Sequence, residues 1–154
     1  MRDVRMQIAA LPLRWRKDGG VKVLMITSRD TGRWIVPKGW TMQNRRPWDA
    51  AAIEALEEAG AMGRIAREPC GTYSYDKIMR DGRAVPVDVD VYPMIVERLK
   101  RDWKERDQRR RRWFSAKAAS RRVDEPELSQ LLLALSEKPK KLPVVGPLLK
   151  RTSG

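Results

Sequence analysis

Valine at 87, 89 and 91 with aspartate at 88 and 90 gives the strictest apolar–polar alternation in the chain, and residues 87–96 are predicted as a strand that starts with one buried face. Residues 21–27 are almost continuously apolar, the pattern of a buried strand. Residues 4–16 read as another strand, which Pro12 places near an edge or a bulge because it has no N–H to give a ladder. Shorter strands are expected over residues 34–36, 65–75 and 111–114, with turns at Asp18-Gly19-Gly20, Asp30-Thr31-Gly32 and Asp81-Gly82. Helical signals stand elsewhere. Pro47 suits a first helical position, Asp49 complements the positive end of the dipole, and Gly60 and Gly63 are stop signals. Ala52, Ala55, Leu56 and Ala59 form the face expected against a sheet. Ser115 caps a helix over residues 116–121, and Asp124-Glu125-Pro126 opens another through Leu135. Strands with one central and one C-terminal helix imply an α+β layer fold.

The central helix carries an unusual charge pattern. Residues 47–63 contain no Lys or Arg, where the chain average of 33 in 154 would place between three and four. Glu54, Glu57 and Glu58 stand at i, i+3 and i+4, on one helical face. Like charges so placed cost about 0.2–0.5 kcal/mol per pair in an isolated helix, so a positive group is expected over them. One reading is a solvated acidic face. The other is a site for hard divalent cations, Mg2+ or Mn2+, which choose carboxylate oxygens.

Residues 39–61 resemble the Nudix box, G-x5-E-x7-R-E-U-x-E-E-x-G-U with U apolar. Gly39, Glu54, Ala55, Glu57, Glu58, Gly60 and Ala61 match in type and spacing, whereas Arg45 stands for the first Glu and Ile53 for the Arg. Arg33-Trp34-Ile35-Val36-Pro37, and Asp102-Trp103 followed by residues 109–114, are similar to diphosphoinositol polyphosphate phosphohydrolases and diadenosine polyphosphate hydrolases. The resemblance covers roughly residues 5–135. It implies a mixed β-sheet between helices and hydrolysis of a diphosphate linkage, with Mg2+ or Mn2+ as cofactor. By position, Glu57 and Glu58 would be metal ligands, Glu54 a ligand or the base for the attacking water, and Gly39 or Lys38 a backbone carbonyl ligand. A further carboxylate is expected from outside the box, with Asp107 and Glu105 as candidates and Asp88 and Asp90 behind them. The box Arg of the family pairs with a neighbouring Glu, which Ile53 cannot do. Arg33, Lys38, Arg45 and Arg46 are the expected phosphate-binding groups, guanidinium being suited to bidentate contact.

Composition narrows the chemistry further. The chain has no histidine, which excludes Ser-His-Asp and Cys-His catalysis and every His-ligated zinc site. Its single cysteine, Cys70, excludes an internal disulfide, fits a reducing cytoplasm and reads as a small buried side chain. There is no apolar run of the roughly 18 residues that a membrane helix needs, and residues 1–5 lack a signal-peptide pattern. The expected location is therefore cytoplasmic. Net charge is +13, unevenly spread: residues 39–63 sum to −2, while residues 98–122 hold twelve basic and three acidic side chains. Such a distribution suits an anionic phosphorylated small molecule arriving with its cation. It also suits the rival ligand, nucleic acid, bound by a non-catalytic module of the same fold. Residues 1–136 are expected as one domain, and residues 137–154, basic and rich in proline, as a flexible tail.

Overall fold

Strand β1 (Arg5–Arg16) organises the sheet. The computed structural model describes residues 4–16 and 20–151; the turn expected at Asp18 and Gly19 lies outside them. Along one side β1 runs parallel to β7 (Ala84–Leu99). Along the other it is antiparallel first to β4 (Lys38–Trp40) and then to β2 (Gly20–Thr27). β2 also pairs with β3 (Trp34–Ile35) and β8 (Arg111–Ser115). β7 takes β5 (Ala61–Ile65) and β6 (Gly71–Ile78) along its free edge. Residues 7–13 of β1 are all buried because both faces of the sheet are covered. Ile8 and Ala10 face helix α1 (Pro47–Ala59). Ala9, Leu11 and Leu13 face the layer built by α2 (Ala116–Arg122), α3 (Pro126–Glu137) and α4 (Val145–Lys150). The fold is α+β, a mixed sheet between helices, as the apolar pattern and the resemblance both implied.

Pro12 is not at an edge. It lies in the central strand, between the residues that pair with β4 and those that pair with β2. The N–H of Ala10 reaches Pro37 O on that side, so Pro12, two residues on, turns its missing donor toward the split between partners, where no ladder bond is lost. The strand expected over residues 65–75 is two strands, with Pro69 in the connection between them. Both lie on the same edge of β7, β5 on its C-terminal half and β6 on its N-terminal half.

Helix α1 begins at Pro47 as expected and ends where Gly60 takes a left-handed conformation, φ +65°. Ala50, Ala51, Ala55 and Ala59 are its sheet-facing residues, whereas Ala52 and Leu56 are only partly buried and border a shallow apolar groove with Ile53 and Met62. Gly63 is not a helix stop. It sits at a bulge in β5, where any Cβ would collide with the carbonyl oxygen of Ile95. Gly63→Ala is expected to destabilise the fold by at least about 2 kcal/mol, since a backbone oxygen cannot step aside. Urea denaturation of the variant measures this, and an unchanged midpoint would contradict it.

Helical turns fall within the segment expected as a tail. A 3-10 turn (Pro139–Lys141) leads to α4, which buries Val145, Leu148 and Leu149 in the core shared with α3. Val144 enters α4 at φ +69°, with Val145 N–H bonded to Pro143 O at 2.7 Å. A β-branched residue in that region is strained by roughly 1–3 kcal/mol, which the three buried side chains offset. No helix among the described residues is long and apolar enough to cross a membrane.

Candidate active site

The carbonyls of Glu57, Glu58 and Ala59 at the end of α1, and of Gly60 after it, have no partner within the helix. The connection from β7 to β8 supplies them. Glu105 N–H donates to Glu57 O (3.1 Å), Trp103 Nε1 to Glu58 O (3.1 Å), Arg111 Nη1 to Ala59 O (2.9 Å) and Lys100 N–H to Gly60 O (2.8 Å). The Arg111 guanidinium lies 3.9 Å from the Trp103 ring and fixes both donors. The loop is tied to β2 as well. Thr27 N–H reaches Arg110 O, Arg110 N–H reaches Thr27 Oγ1, and Arg109 Nη1 reaches Thr27 O.

This loop brings the cations that α1 lacks. Lys104 Nζ stands 2.7 Å from Glu57 Oε2, and Arg109 Nη2 stands 3.7 Å from Glu58 Oε2. Glu58 is buried; its Oε1 accepts from Lys38 N–H at 3.1 Å, and it shares a hydrogen bond with Glu54. Burial pushes the Glu58 carboxyl up to about 8, the bond to Glu54 adds to the rise, and the Arg109 charge opposes it. Glu54 is raised too, chiefly by burial. Burial lowers the Lys38 ammonium against the pull of Glu58. Two carboxyls this close disfavour a second negative charge, which a divalent cation between them would offset.

Gly39 explains how Glu54 reaches its place. A Cβ at residue 39 would lie 2.5 Å from Glu54 Cδ and 2.6 and 2.8 Å from its oxygens. The bare backbone leaves the space the carboxyl fills. Hard oxygen donors in that cradle suit Mg2+ or Mn2+. Among the described residues, however, no three acidic, histidine or cysteine side chains stand together as a ready ligand set. Glu57 is held by Lys104 instead.

Glu54, Glu57, Glu58, Gly39 and Lys38 all line one cleft of about 400 Å3. Other residues named from the sequence lie elsewhere. Asp107 is exposed and outside that lining; Glu105, two residues earlier, lines the cleft and accepts from Arg109 Nε at 2.7 Å. Asp88 and Asp90 instead accept from Ser74 and Thr72 on β6. Arg33 is bound by Glu125 (2.9 Å) and Asp124 (3.4 Å), which draws it to the start of α3 and out of the cleft lining. Arg45 is exposed in the loop before α1 and Arg46 lies over Trp48, so neither reaches the cleft. In their place stand Arg29, Lys77, Lys104 and Arg109. Much of the remaining basic charge rests on rings, as Arg14 does on Trp113 at 4.5 Å. The signal that could have found Lys104 and Arg109 was the charge imbalance itself, acid in residues 47–63 and base in residues 98–122.

No family model matches the chain. Over 122 residues it is 29% identical to Nudix hydrolase 21, chloroplastic, of Arabidopsis thaliana, covering 75% of this chain and 58% of that protein. Over 110 residues it is 31% identical to human diphosphoinositol polyphosphate phosphohydrolase 3-beta, covering 70% of this chain and 63% of the relative. The chain thus spans between half and two thirds of the length of these relatives. Its fold is shared with the C. elegans Ap4A hydrolase, at a TM-score of 0.60 and 19% identity, covering 88% of this chain and 98% of that one. A Nudix hydrolase from Nitrosomonas europaea is similar at a TM-score of 0.64 and 19% identity, covering 88% and 89%. Sequence and fold agree: the chain is similar to Nudix hydrolases over most of its length and shares their fold.

Proposed function

We propose that this protein hydrolyses a phosphoanhydride bond in a small polyphosphorylated substrate, with Mg2+ or Mn2+ held by Glu54, Glu57 and Glu58. One observation carries the reading: the Glu54, Glu57 and Glu58 carboxyls lie in the same cleft as Arg29, Lys38, Lys77, Lys104 and Arg109. Acidic groups alone suit a cation and basic groups alone suit an anion. Both together suit a phosphate chain that brings its cation with it. When bound, the cation supplies charge neutralisation and Lewis acidity.

The chain's own residues divide the remaining work. In this reading Glu54 takes a proton from the attacking water at a carboxyl oxygen, and the rise that burial gives its carboxyl supports that role. Arg29, Lys38 and Lys77 bind phosphoryl oxygens and offset charge as the bridging P–O bond breaks. Lys104 is 71% exposed and can exchange Glu57 for a phosphoryl oxygen. Trp40 supplies the lone aromatic ring among the described lining residues. The two bases of a dinucleoside polyphosphate would find little to stack on, so an inositol pyrophosphate is the favoured substrate. The name of the human relative supports that order.

The test is phosphate release from inositol pyrophosphates, dinucleoside polyphosphates and nucleotides, with Mg2+ and with EDTA. Cation-dependent release from at least one is the expected result. Turnover undiminished by chelator, or silence across the panel, would defeat the reading. Lys104→Met is expected to raise KM about tenfold or more and change kcat less, as loss of uniform binding does. An equal fall in kcat with unchanged KM would remove Lys104 from substrate binding.

A further inference from the structure

We propose that Arg109 is a positioning residue for the Glu54–Glu58 pair, acting from the loop between β7 and β8. The inference rests on the functional reading above and adds to it a residue outside the box. Helix α1 and the residues after it to position 63 hold no Lys or Arg, so the charge that steadies these carboxyls must come from another element.

Arg109 meets that need in a way Lys104 does not. Its side chain is 7% exposed and its fork is fastened at three points, each on a different element. Nε donates to Glu105 Oε1 at 2.7 Å within the loop, Nη1 donates to Thr27 O at 3.0 Å at the end of β2, and Nη2 faces Glu58 Oε2 on α1 at 3.7 Å. The last distance is too long for a hydrogen bond. Arg109 therefore steers Glu58 by charge while leaving its oxygens to Lys38 N–H, to Glu54 and to an incoming cation. A guanidinium keeps its charge when buried, and its planar fork fixes direction. Lys104, on a flexible and exposed stem, can follow a ligand; Arg109 cannot leave.

Mn2+ titration in the absence of substrate tests this directly, alongside kcat, KM and melting temperature, for wild type, Arg109→Ala and Arg109→Lys. Arg109→Ala is expected to weaken Mn2+ binding and lower kcat by about 10- to 100-fold each, with KM little changed at saturating metal. Because Arg109 lines the cleft, millimolar guanidinium is expected to enter the vacated space and restore part of both. Arg109→Lys, which keeps a charge but loses the fork, is expected to fall between the two. Wild-type Mn2+ affinity in Arg109→Ala would overturn the proposal, as would guanidinium that restores melting temperature without restoring affinity. Should Arg109→Ala not fold, Arg109→Lys decides, and wild-type values for both kcat and Mn2+ affinity would overturn it. Wild type inactive on every substrate would sink the functional reading, while the Mn2+ titration would still judge this one.

Discussion

Glu58→Gln is expected to abolish turnover and, in the same protein, to raise the melting temperature of the metal-free chain. The loss follows from removing a carboxylate proposed to hold the cation: charge stabilisation of several kcal/mol corresponds to about a thousandfold in kcat. The gain follows from the site's present state. Burial and the bond to Glu54 lift the Glu58 carboxyl from an ordinary 4.5 to about 8, so the folded protein favours its protonated form. The stability attached to that proton is fully present below pH 4.5 and is lost as pH rises through 8. Glutamine imitates the protonated form at every pH. The two proteins are therefore expected to melt together near pH 4.5 and to separate progressively toward pH 8, by a few kcal/mol at about 1.4 kcal/mol per unit. Mg2+ is expected to narrow the gap by stabilising only the wild type. Melting curves in EDTA from pH 4.5 to 8.5 settle the matter, and parallel curves would contradict it.

Gly39→Ala is expected to cost at least about a hundredfold in kcat while moving the melting temperature little. The added methyl would meet the Glu54 carboxyl, the far end of a flexible side chain, which can swing out of the way. Gly39 pairs with Ile8 in the ladder between β1 and β4, and that extended backbone admits alanine. The sheet survives and the site does not. Gly63→Ala makes the opposite case, because its obstacle is the Ile95 backbone. Wild-type kcat in the Gly39→Ala protein would mean that the position of Glu54 does not matter to the reaction.

What could be read from the sequence was local. Pro47, Gly60 and Ser115 act within a few residues of themselves, and each does what its side chain or backbone dictates. The carboxylates at 54, 57 and 58 were legible for the same reason, since helical spacing alone puts them on one face. Pro12 misled because the cost of a missing N–H depends on which neighbour lies opposite, and that is set by pairing with residues far along the chain. Arg33 and Lys104 differ in a similar way. Both are basic and both lie near the box in space, yet Glu125 claims one and Glu57 the other. Nothing local distinguishes them. In residues 139–150 composition hid a helix: proline, lysine and glycine mask the spacing by which Val145, Leu148 and Leu149 cover one face.

The loop that closes the end of α1 also sets an order of events during synthesis. Its bonds to Glu58 O, Glu57 Oε2 and Ala59 O span 45, 47 and 52 residues. At a translation rate of about 5–20 residues per second, the carboxylates of α1 exist for roughly two to ten seconds before Lys104 and Arg109 have been made. During that interval the helix has open carbonyls at its end and three carboxylates facing one another without a counter-charge. Lys104 and Arg109 join Arg29, Lys38 and Lys77 in the cleft late, because they are written far along the chain from the helix they serve.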